Sequence, residues 1–344
     1  MHNVLKINIP EINKDEYKNA GVDPVEATKF WNVNNPFPHL LLQLGLYHTL
    51  REHLFTLLRL CNDIDPSTYD VIHKGHPFFF IGISSFRLRD YQTAISFFDA
   101  ALSEDLKLED GKERPSVLFF TLKGDNPNNA AQVDTKLVQS NVKISINHYN
   151  ELISQSEKNN KSDIDQFREN FIYYILDNYQ DAGLRTLLTA FITFLVEWEF
   201  RDNNFELGIK NGTSEPFFMH LFRGCVLLES LLNRNPNPKD QHKEQKDQLG
   251  KLINYYRNEL FLPKEWKFEH NNEKINNLGR LIEYLIKHNM TIEYSFKVSY
   301  WLRNNLGHNI AWQYSIDRES YRKLFHCVVF SCFHVINCLW KSPD

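Results

Sequence analysis

The sequence predicts an all-α protein, and three observations lead to that fold class. Glycine and proline number only 13 each in 344 residues, too few for a turn-rich β protein. Apolar residues recur at helical spacing in long segments such as LLLQLGLYHTLREHLFTLLRL, which begins at Leu40. Polar turn segments such as NPNPKD separate these runs and indicate short connections between helices.

Composition and charge narrow the class of protein further. The formal net charge of −4 argues against a uniformly basic surface of the histone type, although a local basic site is compatible with it. The first residues, MHNVLKINIPEINKDEY, lack the apolar stretch of a signal peptide, and the longest apolar run, TLLTAFITFLV, is too short to span a bilayer. Five cysteines in a chain of this length do not form a disulfide framework. We therefore expect a cytoplasmic protein with free thiols and no membrane contact.

The order of elements suggests three parts. Residues 1–39 read as an N-terminal extension, because four prolines interrupt any long element. Residues 40–180 read as a helical domain that begins with a helix at about 40–60. From residue 181 onward the chain reads as a bundle of five or six helices, with Ser214 as the expected N-cap of one of them.

One segment of the second part has the pattern of a helical hairpin. Small residues stand where two antiparallel helices would cross closely (Gly82 and Ala94) and where a further helix would pack (Ala101). With its aromatic and aliphatic positions, the segment at about 76–107 resembles a tetratricopeptide repeat, although Arg89 stands where the turn between the helices often has glycine. A single repeat leaves its own apolar face uncovered, so neighbouring helices should stack on it. The resemblance implies a surface for a regulatory protein or peptide; the alternative is that these helices are only scaffold.

The most informative motif is R-N-N-L-G-H at residues 303–308, at the end of a strongly helical segment and before a long apolar helix. Arginine and histidine at this spacing are common by chance, so the helical context gives the motif its weight. In that context residues 181–344 resemble the HEPN domain, a small helical bundle whose signature is arginine, a polar residue, three more residues and histidine. The resemblance implies an endoribonuclease that needs no metal ion, of the kind found in toxins and defence effectors.

The side chains of the motif suit that chemistry. Imidazole is the side chain best able to take and give a proton near neutral pH, which attack by a ribose 2′-OH on the adjacent phosphate requires. A guanidinium offers a fixed fork of donors to the charge that develops on phosphorus. We therefore expect His308 to act as acid and base, Arg303 to bind the phosphate and Asn304 to position it. RNA would be the substrate, and no cofactor or metal is expected, since the sequence has no glycine-rich phosphate loop, no CxxC pair and no HExxH.

Helix geometry constrains how the motif works. Five residues turn through about 140° of an ideal helix, so Arg303 and His308 would not share a face, whereas Asn304 and His308 would. Either the helix loosens near Gly307 or a second copy of the chain supplies the missing partner. HEPN domains commonly pair their motifs across a two-fold axis, so the resemblance implies a homodimer with a composite site.

Several other readings remain open. Arg303 could simply pair with a carboxylate while Asn304, Asn305 and Gly307 form a helix C-cap. Alternatively, the bundle could belong to a non-catalytic adaptor, or to a nucleotide-binding or RNA-binding protein, that uses it only to dimerise.

Carboxylates and metal-ligating residues complete the candidates. Helices next to a HEPN motif often supply a carboxylate that orients the arginine, and Glu197, Glu199 and Glu229 are the candidates here. Cys327, His334 and Cys338 lie on one stripe of the last helix, where packing is a better explanation than metal binding; the same holds for His73 and His76.

Overall fold

A computed structural model of the protein describes residues 11–21, 23–35, 37–126, 131–154, 161–206, 214–236, 248–263, 278–307 and 316–340. Within these ranges every regular element is a helix, which confirms the predicted all-α class. None of the described helices is long and apolar enough to cross a bilayer. The chain divides into two compact units, an N-terminal unit at Met1–Gln139 and a C-terminal unit at Ser140–Asp344.

The N-terminal unit is built from short and medium helices. Their bounds are α1 Lys14–Ala20, α2 Pro24–Asn34, α3 Pro38–Gln43, α4 Tyr47–Ile64, α5 Pro66–Val71, α6 Gly75–Arg87, α7 Tyr91–Asp105, a 3₁₀ turn at Gly111–Glu113, and α8 Pro115–Phe120. Helix α9, Gln132–Ile153, begins in this unit and continues into the next.

Helices α6 and α7 form the hairpin that the repeat-like segment predicts. A Cβ atom on Gly82 would lie 2.7 Å from the ring of Phe98, so only glycine allows this approach of the two helices. Ala94 and Ala101 are fully buried, as the small-residue pattern requires. Arg89, in the turn between the helices, has φ +62°, a left-handed conformation that favours glycine. The repeat-like hairpin therefore forms with arginine in the strained position.

The single helix expected at about 40–60 is in fact two helices, α3 and α4. Gly45 adopts φ +71° between them, and its N–H donates to the carbonyl of Leu42. This left-handed residue ends α3 in the way that glycine commonly ends helices. The apolar periodicity runs through the break, which is why the pattern alone suggested one helix.

The C-terminal unit follows the predicted succession of helices. Their bounds are α10 Ile164–Phe167, a π-helical turn at Arg168–Tyr173, α11 Tyr174–Asp177, α12 Ala182–Glu206, α13 Glu215–Asn233, α14 Leu249–Tyr255, α15 Leu278–Lys287, α16 Ile292–Gly307 and α17 Arg318–Leu339. The unit begins at residue 140, within α9, whereas the change in sequence texture falls at residue 181. The domain boundary that the sequence suggests between residues 180 and 181 stays a prediction.

Helix α17 lies at the centre of this unit, because nearly all its faces are buried. On one side Gly224 of α13 allows close contact: a Cβ there would meet Phe194 at 2.5 Å and Val328 at 2.8 Å. Ser214 precedes α13, but its hydroxyl does not cap that helix. Ser214 is nevertheless the N-cap residue of α13, as predicted, and its carbonyl accepts from the N–H of Phe218 at 3.1 Å. Its Oγ accepts a hydrogen bond of 3.0 Å from the N–H of Ile316, so the serine connects the start of α13 to the segment before α17.

Candidate functional site

The R-N-N-L-G-H motif begins inside α16. Arg303 and Asn304 lie on its last two turns, and the helix continues through Gly307. His308 is the next residue and lies outside the described residues, as do its contacts. The structure therefore places two of the three predicted catalytic residues, at the C-terminal end of a helix.

Glu229 of α13 holds the guanidinium of Arg303. The Arg303 Nε donates to Glu229 Oε2 at 3.3 Å, and the two side chains are 29% and 15% exposed. The contact joins residues 74 positions apart, so it is made by the packing of α13 against α16. Of the three carboxylates named from the sequence, Glu229 is the one that orients the motif arginine.

The other two carboxylates have different partners. Glu197, which is buried, accepts from Arg201 at 2.9 Å one turn later on α12 and from Arg223 of α13 at 3.5 Å. Glu199 accepts a hydrogen bond of 3.3 Å from the side-chain amide of Asn141 on α9. These glutamates bind α12 to its neighbours.

Gly307, the small residue of the motif, lies in the last turn of α16, where a larger side chain would be crowded. Asn305 turns its amide back to the carbonyl of Trp301 at 2.8 Å, within the helix. A Cβ on Gly307 would lie 3.2 Å from Arg303 Nη1 and 3.5 Å from the ring of Phe222. Asn304 to Gly307 thus continue the helix instead of capping it, and Gly307 leaves room for the guanidinium.

Apolar and polar groups surround the arginine and glutamate. Cys225 of α13 is fully buried; burial raises the pKa of its thiol, and Arg303 opposes that shift. Met219 and Val226, seven positions apart on α13, are 38% and 41% exposed and share one face of the helix. Arg223, which is 48% exposed, lies between them on that face, so the exposed surface next to Glu229 is mixed in character.

Two of the histidines considered as metal ligands, His334 and His73, contact other polar groups, and His76 packs against the ring of Phe80 at 4.8 Å. His334 hydrogen-bonds the hydroxyl of Tyr149 at 2.9 Å and the carbonyl of Leu260 at 3.0 Å, and Cys338 Sγ lies 3.6 Å from it. In the N-terminal unit, His73 Nε2 lies 3.6 Å from Asp105 Oδ1. No group of three or more potential ligands that could hold a metal ion occurs in the part of the chain that the structure describes.

Two polar contacts of the C-terminal unit were not foreseen from the sequence. His220 of α13 bridges the carbonyl of Phe194 at 2.9 Å and the hydroxyl of Tyr321 at 2.8 Å. Asp202 of α12 forms ion pairs with both Arg318 and Arg322 of α17. The four-residue spacing of the two arginines, which puts both on one helix face, is the signal that could have drawn attention to them.

The chain matches no protein-family model, no curated protein and no solved structure.

Proposed function

We propose that this chain is an endoribonuclease that cleaves RNA without a metal ion, with Arg303, Asn304 and His308 as its catalytic residues. The observation that carries the proposal is the ion pair between Arg303 and Glu229 at the end of α16. It fixes the orientation of a guanidinium that is still 29% exposed, five residues before the histidine of the motif in the sequence. An oriented, accessible guanidinium is what a phosphate-binding residue requires.

In the proposed reaction the ribose 2′-oxygen bonds to the adjacent phosphorus while the bond from phosphorus to the 5′-oxygen breaks. His308 takes the proton of the 2′-OH, and an imidazolium gives one to the leaving 5′-oxygen. Arg303 stabilises the charge on the phosphoryl oxygens, and Asn304 donates a hydrogen bond to the same group. The products are a 2′,3′-cyclic phosphate and a 5′-OH end.

A homodimer with a composite site is part of the proposal. On an ideal helix Arg303 and His308 point in directions about 140° apart, so His308 of the partner subunit would complete the site. The helical repeat of the N-terminal unit would bind a regulatory protein or peptide, as in a cytoplasmic toxin or defence effector.

RNA cleavage in the presence of EDTA tests the proposal. The full chain would be incubated with a mixed RNA pool, and the ends of the products analysed. Arg303→Ala should lower the rate by about 10²–10³ and His308→Ala by about 10²–10⁴. The matched control is Arg234→Ala, which removes an arginine of the same unit paired with Asp181 at 3.2 Å.

The second candidate is a non-catalytic adaptor or nucleic-acid-binding protein, favoured by the net charge of −4, since RNA enzymes commonly carry a basic excess. Absence of cleavage in every pool, or cleavage that Arg303→Ala and His308→Ala leave at the parental rate, would favour the adaptor. Measuring the oligomeric state of the same variants shows whether the dimer is independent of the motif.

A further inference from the structure

The ring of Phe222 on α13 lies next to the end of the motif. Phe222 comes seven residues before Glu229, and residues at this spacing share one face of a helix. On that face Glu229 contacts Arg303, and Phe222 approaches Gly307. The two contacts place the phenyl ring beside the last turn of α16, whose final residue directly precedes His308 in the sequence.

The same ring is close to the guanidinium of Arg303. Among the described residues, a Cβ atom on Gly307 would meet two side chains, Arg303 through Nη1 at 3.2 Å and Phe222 through Cε2 at 3.5 Å. Both atoms therefore lie within 3.5 Å of one point, at the residue of the motif that has no side chain. Gly307 itself is exposed, so this part of the surface is open to solvent.

The terminal nitrogens of Arg303 are available to a ligand. Its Nε donates to Glu229 Oε2 at 3.3 Å, and within the part of the chain that the structure describes neither Nη1 nor Nη2 has a hydrogen-bond partner. The two terminal nitrogens of a guanidinium form a fork of donors that matches two oxygens of a phosphate. The pair with Glu229 thus holds the side chain and leaves the phosphate-binding edge open.

The Phe222 ring also has a surface to offer. It is half-buried, and it stacks on no other aromatic ring among the described residues, whereas a core ring of the same unit such as Phe194 packs against Phe325 at 5.1 Å. A phenyl ring that is held by helix packing but still partly accessible is a platform on which a nucleobase stacks.

We propose that Phe222 forms a base-binding subsite for single-stranded RNA, in which a nucleobase stacks on its ring while the phosphate of the same nucleotide binds Arg303. A ribose joins base and phosphate, so an aromatic ring next to a guanidinium suits one nucleotide unit. Pairing and stacking within a duplex hide the faces of the bases, so the subsite selects unpaired strands. The inference rests on the phosphate-binding role proposed above for Arg303, but it does not require cleavage.

Fluorescence anisotropy of the full chain tests the subsite with two labelled strands. One is a single-stranded 2′-O-methyl oligoribonucleotide, which lacks the 2′-OH and so binds without being cleaved; the other is the same backbone without bases. Phe222→Leu should weaken binding of the base-bearing strand by about 5- to 100-fold, because base stacking is lost, and leave the abasic strand unaffected. Phe222→Tyr should bind as the parent does. Arg303→Gln should weaken both strands by about tenfold or more, because both present phosphates.

The matched control is Phe261→Leu, which replaces a phenyl ring of the same unit that is 58% exposed and lies outside the motif. This variant should bind both strands as the parent does. A folding defect in Phe222→Leu would weaken both strands alike, so the difference between the two strands decides the question.

Equal effects of Phe222→Leu on the two strands, or no binding of either strand to the parent, would overturn the inference. Unchanged binding with an altered oligomeric state would also overturn it, because the ring would then belong to a contact between two copies. Cleavage of unmodified RNA is measured separately. Base-dependent binding without cleavage would keep the subsite and reject the ribonuclease, whereas cleavage that Phe222→Leu leaves unchanged, with base-independent binding, would do the reverse.

Discussion

Lowering the pH from 7 to 5 should reduce the free energy of unfolding of the C-terminal unit by about 4 kcal/mol through two fully buried histidines, and His326 of α17, whose pKa burial also lowers to about 4, adds to that loss. His220 and His334 are each 1% exposed. Burial lowers the pKa of His220 to about 3 and that of His334 to about 4, although a hydrogen bond to a backbone carbonyl opposes the shift in both.

The magnitude follows from proton uptake. In the unfolded chain a histidine titrates near pH 6.5, so below that pH the unfolded state binds a proton that the folded state does not. The free energy of unfolding therefore falls as the pH falls from about 6.5 toward the folded pKa. At about 1.36 kcal/mol for each pH unit, each histidine loses about 2 kcal/mol by pH 5.

Urea unfolding followed by tryptophan fluorescence at pH 7, 6 and 5 measures this loss, since five of the six tryptophans belong to the C-terminal unit. His220→Gln, whose amide can still donate to the Phe194 carbonyl, should lose about 2 kcal/mol of the difference in stability between pH 7 and pH 5. Leu228→Ala, a buried change on the same helix, should lower stability by about 2–5 kcal/mol at every pH and leave that dependence intact. A parent protein equally stable at pH 7 and 5, or a His220→Gln variant with the full pH dependence, would refute this reasoning.

Three further changes test the packing and the backbone. Gly82→Ala should destabilise the N-terminal unit by about 1–3 kcal/mol in thermal unfolding, because the new Cβ would overlap the ring of Phe98; an unchanged midpoint would mean that the ring moves freely. Arg89→Gly should stabilise the same unit by up to about 1 kcal/mol, since it relieves a left-handed backbone, and a loss would show that the arginine side chain contributes more than the strain costs. Asp317→Ala should cost the C-terminal unit about 1 kcal/mol in urea unfolding, because the carboxylate caps α17 by accepting from Ser320 N at 2.8 Å; Asp317→Asn should retain most of that cap.

Local regularities of the sequence predicted much of the fold. Gly82 and Ala94 stand where two helices must approach, and together with the aromatic and aliphatic positions of the segment they predicted the α6–α7 hairpin. The break at Gly45 was not predicted, because the apolar periodicity of the two flanking helices is continuous across it. The backbone angle at this one glycine, and not the pattern around it, ends the helix.

The candidate site was predictable only in part. Arg303 and Asn304 could be singled out because they are neighbours in a recognisable motif. The choice of Glu229 over Glu197 and Glu199 depends on how α13 packs against α16, which no local pattern contains. The same holds for Asp202, which meets Arg318 across 116 residues of chain.

His220, one of the histidines that make the C-terminal unit acid-sensitive, also determines how that unit opens. Because a carbonyl only accepts, the Nε2–H of His220 donates to Phe194 of α12, and Nδ1 accepts from Tyr321 of α17. One imidazole on α13 thereby connects three helices, and none of them can detach without stranding a buried polar group. Hydrogen exchange should therefore find the turns around Phe194 in α12, His220 in α13 and Tyr321 in α17 opening together as one cooperative foldon.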